Sequence, residues 1–194
     1  VNNNSTDETS KNAKSAGATV LFEPQKGYGK ACLTGIEYLK QKENKADIVV
    51  FIDADYSDYP QQMHVLVKPI LENNMDLVIG SRALGKREKG SMTIPQIFGN
   101  ALASFLLKVF YGARFTDLGP FRAIKFDRLI ALDMKDTTYG WTVEMQLKVA
   151  KQKMSYCEVA VDYKNRIGFS KISGTIKGSF LAGYKIISTI LKYA

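Results

Sequence analysis

Three carboxylates, Asp53, Asp55 and Asp58, crowd the end of the run IVVFI at residues 48–52. In an extended segment Asp53 and Asp55 share a face, because side chains alternate with period two. Two carboxylates on one side repel each other unless a cation joins them. A hard divalent ion, Mg2+ or Mn2+, that bridges to a diphosphate supplies that charge. The competing reading is an Asp-rich turn closing a strand, with Asp58, Tyr59 and Pro60 capping the helix that follows.

The elements around these acids decide what they can reach. The unbroken β-branched and aromatic run at 48–52 reads as a strand buried on both faces of a parallel sheet. Ligands of open α/β sheets bind at the C-terminal ends of such strands. Upstream, turn and N-cap residues at 2–7 precede a polar helix over 6–16 that Gly17 ends. A short strand over 18–22 leads into a loop at 24–29 with two glycines and Lys26, then a helix over 30–42. Downstream, Pro60 opens a helix whose stripe is Met63, Leu66, Val67, Ile70 and Leu71, and DLVIG at 76–80 is another strand. This alternation predicts an α/β fold: a mostly parallel sheet flanked by helices.

The second half differs in character. Residues 81–94 are glycine-rich and charged and read as a mobile loop beside the site. The helix from Pro95 through Tyr111 carries apolar residues on more than one face, so it is either central in the core or partly turned toward lipid. A helix over 142–152, an alternating strand over 155–163 and a loop at 166–173 follow. In the final helix, 172–194, Lys171, Lys177, Lys185 and Lys192 fall within one arc. A basic stripe on an apolar helix suits an anionic membrane surface, and a docking helix with a solvated lysine face is the alternative. Its Lys and Gly residues interrupt it too often for a transmembrane span.

Bulk composition narrows the partners. The 194 residues fit one domain with a real core. The net charge of +8 asks for an anionic partner: nucleotide phosphates, anionic lipid or nucleic acid. The basic residues are spread along the chain with no basic tail and no RNA-binding signature, which makes nucleic acid the weakest of the three. Cys32 and Cys157 are isolated, which fits a reducing compartment, and the lone His64 on a helix has no metal role. With no signal peptide in view, the expected location is cytoplasmic, at the cytoplasmic face of a membrane. The chain opens on Val1 as if on the tail of a strand, and the pattern predicts an upstream strand and helix that complete the sheet.

Taken together, the motifs resemble family 2 glycosyltransferases of the GT-A fold, in the branch similar to dolichyl-phosphate mannose synthase. The matching pieces are NNNSTDET at Asn2, FEPQKGYGKA at Phe22, FIDADYSDYP at Phe51, VIGSR at Val78, FGN at Phe98, TDLGPFRAI at Thr116, YGWTVEMQ at Tyr139 and RIGFSKISGT at Arg166. They stand in family order across nearly the whole chain. The family's opening strand with its Pro-x-x-Asn-Glu-like turn is missing, and Asn2 stands where the family has Asp.

The resemblance implies transfer of a sugar from a UDP- or GDP-sugar with inversion at the anomeric carbon, and a polyprenyl or dolichyl phosphate as acceptor. It implies that Asp53 contacts the ribose or metal and that Asp55 coordinates Mg2+ or Mn2+. Arg166, Ser170 and Lys171 then belong to a loop closing over the diphosphate, with Lys26 near the nucleotide. Asp117, ahead of a Gly-x-Phe-Arg segment, is expected to meet the acceptor, with Glu144 as the competing base. A lipid phosphate is already anionic and needs little base help; Arg82 or Arg122 would position it. The alternatives are transfer to a carbohydrate or other hydroxyl, a non-catalytic nucleotide-sugar-binding module, and a scaffold whose basic helix binds membranes or RNA.

Overall fold

The computed structural model describes residues 1–168 and 176–193. Seven helices and four strands are assigned among them. In chain order they are α1 (Thr9–Ser15), α2 (Tyr28–Lys40), β1 (Ile48–Phe51), α3 (Met63–Asn73), β2 (Leu77–Ser81), α4 (Ile94–Tyr111), β3 (Arg122–Lys125), α5 (Phe126–Ala131), α6 (Trp141–Lys151), β4 (Tyr156–Ala160) and α7 (Ile176–Tyr193). Pro60–Gln62 forms one 3-10 turn leading into α3.

The four strands form one sheet in the order β1-β3-β2-β4. β3 runs antiparallel to both β1 and β2, and β2 runs parallel to β4. Three strands therefore share a direction and β3 opposes them: an α/β fold with a mixed sheet. β3 went unread in the sequence because RAIK is four residues long and opens with an arginine. β1 also differs from expectation. Its four residues are half-buried, because β1 is an edge strand among the described residues. The fully buried strand is β2.

Period two in β2 feeds two cores. Leu77 and Ile79 join Leu107, Ile124, Leu129, Trp141 and Leu147 on one face. Val78 joins Leu66, Ile70, Phe121 and Val161 on the other. Hence α3 covers one face, and α2 and α4–α7 contribute to the other. β2 is therefore buried on both faces.

Local signals set the ends of α4. Thr93 and Gln96 make a reciprocal capping box, Pro95 sits in the first turn, and Gly112 ends the helix at φ 66°. Ala103 and Leu107 are its fully buried residues, while Ile94, Phe98, Phe105 and Val109 are exposed. Among the described residues α4 is long and apolar enough to cross a membrane, with 11% of that stretch buried. Of the two expectations for this helix, the one that turns it partly outward is what the packing supports. α7 lies against α4, and Tyr111 Oη donates to the Ile190 carbonyl at 2.7 Å.

Candidate functional site

β1, β2 and β4 all end on one side of the sheet, and β3 begins there. The residues just past those ends assemble the site: Asp53, Asp55 and Asp58 after β1, Arg82 after β2, Tyr163 and Arg166 after β4, and Asp117 to Gly119 before β3.

The acid turn is bound to the chain leaving β4. Arg166 Nη2 lies 3.0 Å from Asp55 Oδ2. Ile167 N donates to the Asp55 carbonyl at 2.9 Å, and Lys164 N donates to the Ser57 carbonyl at 3.0 Å. The other Asp55 oxygen accepts from Ser57 N at 3.0 Å and from the Ser57 hydroxyl. Burial, and then the charge of Asp55, push the Asp53 carboxyl up to about 6, with Arg166, Arg82 and Arg122 opposing. Asp58 is 2% exposed, neither oxygen has a hydrogen-bond partner among the described residues, and burial pushes it up to about 7. This is an acid-rich corner in which burial disfavours the charged forms of Asp53 and Asp58.

Beside it lies a buried ion pair. Asp117 is 1% exposed. Its Oδ2 accepts from Arg82 N at 2.7 Å and from Arg82 Nε at 2.8 Å, and its Oδ1 accepts from Arg82 Nη2 at 2.6 Å. Burial works against the Arg82 charge, but the hydrogen bonds and charge of Asp117 outweigh it and hold the guanidinium above its ordinary value. The loop carrying Asp117 is pinned from three elements. Glu158 on β4 accepts from Thr116 N and Asp117 N, Gln146 on α6 donates to the Asp117 carbonyl, and Asn100 on α4 accepts from Leu118 N. Gly119 is required here. A Cβ would lie 2.9 Å from the Gly80 carbonyl and 3.3 Å from Asp117 Oδ2. Gly119→Ala should therefore cost about 1–3 kcal/mol in urea unfolding, the usual range for overpacking.

A cavity of about 310 Å3 opens over these groups. Asp53, Arg82, Tyr163 and Arg166 form part of its lining; Pro95 of α4, Leu118 and Ile186 of α7 give it apolar wall. It has a charged end under the strand tips and an apolar end between two helices.

The structure brings together Asp53, Asp55, Arg82 and Arg166. Among the described residues, Asp117, Arg122, Glu144 and Lys26 are not part of the cavity lining. Asp117 pairs with Arg82 and is not itself part of the cavity lining. Arg122 is fully buried, with its guanidinium donating to the carbonyls of Leu118, Gly119 and Thr142. Burial pulls it down to about 10. It rivets the loop before β3 to the start of α6. Glu144 is 1% exposed and accepts from Lys135 N, Asp136 N, Lys148 and Tyr193, which ties α6 to a loop and to α7. Lys26 is exposed and outside the cavity lining. Ser170 and Lys171 lie outside the described residues, as does the side chain of Lys177. Sequence reasoning missed Glu158, whose signal was a lone acid in the strand YCEVA. It also passed over Tyr163, which carries the Arg82 guanidinium 5.1 Å over its ring.

Among the described residues no three His, Cys, Asp or Glu side chains are arranged to hold a metal. Among the described residues, the Asp53 and Asp55 carboxylates are the pair that would hold such an ion. That set fits Mg2+ or Mn2+, which are held by one or two carboxylates and complete their shells with substrate phosphates and water.

A model of the family described as Glycosyl transferase family 2 matches residues 1–132. A glycosyltransferase of Mycobacterium tuberculosis is 32% identical over 194 residues, which cover 97% of this chain and 84% of that one. The undecaprenyl-phosphate mannosyltransferase of Micrococcus luteus is 29% identical over 157 residues, 78% of this chain and 63% of that one. Among solved structures, glucosyl-3-phosphoglycerate synthase from Mycobacterium tuberculosis, in complex with Mn2+, UDP-glucose and phosphoglyceric acid, superposes with a TM-score of 0.73 at 20% identity. The match covers 98% of this chain and 66% of that structure, and it shows a shared fold.

Proposed function

The chain belongs to glycosyl transferase family 2, and from that premise we propose that it moves a sugar, with inversion, from a UDP- or GDP-sugar to a polyprenyl-type phosphate at the cytoplasmic face of a membrane. One observation carries this reading. The cavity joins a cationic, acid-edged end to an apolar wall made by α4 and α7. A substrate that satisfies both ends is an amphiphile with an anionic head. The named activities of relatives such as the undecaprenyl-phosphate mannosyltransferase support it.

In this reading Arg166 binds the donor diphosphate. Asp53 and Asp55 hold Mg2+ or Mn2+, which when bound neutralises charge that develops on the leaving diphosphate. Arg82 receives the acceptor phosphate and aims one of its oxygens at the anomeric carbon. That oxygen forms the new bond as the bond from carbon to the diphosphate oxygen breaks, with inversion. The attacking oxygen is already anionic, so no side chain has to remove a proton. Asp117 fixes the direction of Arg82 and does not touch substrate.

The exposed apolar residues of α4 and of α7, among them Leu181 and Tyr184, supply a membrane-facing surface. Free Cys32 and Cys157 agree with a reducing compartment. Replacing Phe98 and Phe105, both more than half exposed, with serine should lower binding to anionic vesicles about tenfold or more, given roughly 1.5–3 kcal/mol per fully buried large apolar side chain. Circular dichroism should be unchanged. Co-sedimentation with phosphatidylglycerol vesicles measures it.

The test of function is a screen of radiolabelled UDP- and GDP-sugars with Mn2+ and undecaprenyl or dolichyl phosphate. Label should move into an organic-extractable product. Label confined to water-soluble products, or no turnover with any pair, would overturn the assignment.

A further inference from the structure

A lysine gripped by two aromatic rings stands between the acid turn and the chain leaving β4. Lys164 Nζ lies 3.1 Å from the Tyr56 ring centroid and 4.6 Å from that of Tyr59. Lys164 is not part of the cavity lining. Tyr56 directly follows Asp55 and has φ 71°, a left-handed conformation that a bulky side chain adopts at a cost. Tyr56 is 60% exposed and gains little from core packing in exchange. What the conformation achieves is a ring placed over Lys164.

The backbone repeats the same connection. Asp58 and Tyr163 make an antiparallel bridge, Lys164 N donates to the Ser57 carbonyl, and Ile167 N donates to the Asp55 carbonyl. Residues 55–58 and 163–167 thus run together as a short antiparallel pair. Arg166, two residues past Lys164, ends this pair with its guanidinium on Asp55 and in the cavity wall. None of the motifs that carry the family resemblance includes Lys164.

We propose that Tyr56, Tyr59 and Lys164 form a cation–π latch that positions Arg166 for the diphosphate of the donor. The inference rests on the donor reading given above and adds three positioning residues to it. A cation–π contact needs a ring face and a lasting positive charge, and not a hydroxyl or a particular cation. The latch should therefore tolerate Tyr56→Phe and Lys164→Arg and should fail in Lys164→Gln.

The test is isothermal titration of the whole chain with UDP and with GDP, each in the presence of Mn2+. Lys164→Gln should weaken the nucleotide that wild type binds by about fivefold, the scale of one such contact. Lys164→Arg and Tyr56→Phe should bind and melt as wild type does. On an Arg166→Gln background, Lys164→Gln should add nothing, because its effect runs through Arg166. Equal weakening by Lys164→Arg, a full further loss on the Arg166→Gln background, or a lowered melting temperature with unchanged affinity would each overturn the latch. If wild type binds neither nucleotide with Mn2+, the donor reading itself falls and takes the latch with it; the wild-type titration alone reveals that outcome.

Discussion

Asp117→Asn should unfold in urea with about 3–5 kcal/mol less stability than wild type, at an unchanged slope. The cause is the partner it abandons. The Asp117 side chain is 1% exposed and that of Arg82 is 11% exposed. Both carboxylate oxygens accept from Arg82, at 2.6 and 2.8 Å. Asparagine keeps one acceptor and turns the other position into a donor that faces an N–H. A buried guanidinium is then left without its counter-charge, which costs more than the pair contributes. Transfer should fall as well, because Arg82 loses its aim at the acceptor. A residue that served as acceptor base would behave differently: its loss would cut turnover and leave stability intact. Urea curves and initial rates on the same preparation separate the two. The double variant Arg82→Met with Asp117→Leu sharpens the test. Replacing both charges removes the unpaired ion, so much of the stability should return. Transfer should stay lost, since no cation then faces the acceptor.

The acids at the tip of β1 were picked out in sequence because an apolar run that stops at charged residues marks a strand end, where open α/β sheets bind ligands. Arg82 and Arg166 were named as well, on the strength of the family resemblance. The partners of Asp117, Arg122 and Glu144 were not legible. Each is a charged residue in a motif, and sequence alone does not say whether its partner is substrate or the protein's own backbone. Burial decides it. Arg122 spends its donors on three carbonyls, and Glu144 accepts from two backbone amides, a lysine and a tyrosine. Arg122 braces the loop at 116–120 and Glu144 the loop at 135–140. β3 was hidden for a related reason. A strand that opens with a fully buried arginine breaks the apolar pattern by which strands are recognised. Glu158 is the converse case. One acid in a short strand reads as an exposed position, yet its carboxylate holds the amides of Thr116 and Asp117.

The second large effect is expected at Asp55. Asp55→Ala should lower sugar transfer about 10²–10³-fold, the range for removing one fixed stabiliser of developing charge. Folding should barely register the change. Alanine gives up the hydrogen bonds from Ser57 and a partly exposed ion pair, with side chains 23% and 31% accessible, so the cost is about 1 kcal/mol. Activity alone would not identify the reason, because Arg166 also loses its partner. The affinity for UDP or GDP measured with and without Mn2+ does. In wild type Mn2+ should tighten binding, since the cation couples two carboxylates to two phosphates that would otherwise repel them. In Asp55→Ala that dependence should be largely gone, while Arg166 still attracts the nucleotide through its own charge. The residual affinity should then fall as salt rises, as expected for an exposed guanidinium meeting phosphate without a bridging ion. Full turnover by Asp55→Ala, or an unchanged Mn2+ dependence of nucleotide binding, would remove the carboxylates from the donor site. It would leave the strand tip as a turn whose acids serve the fold.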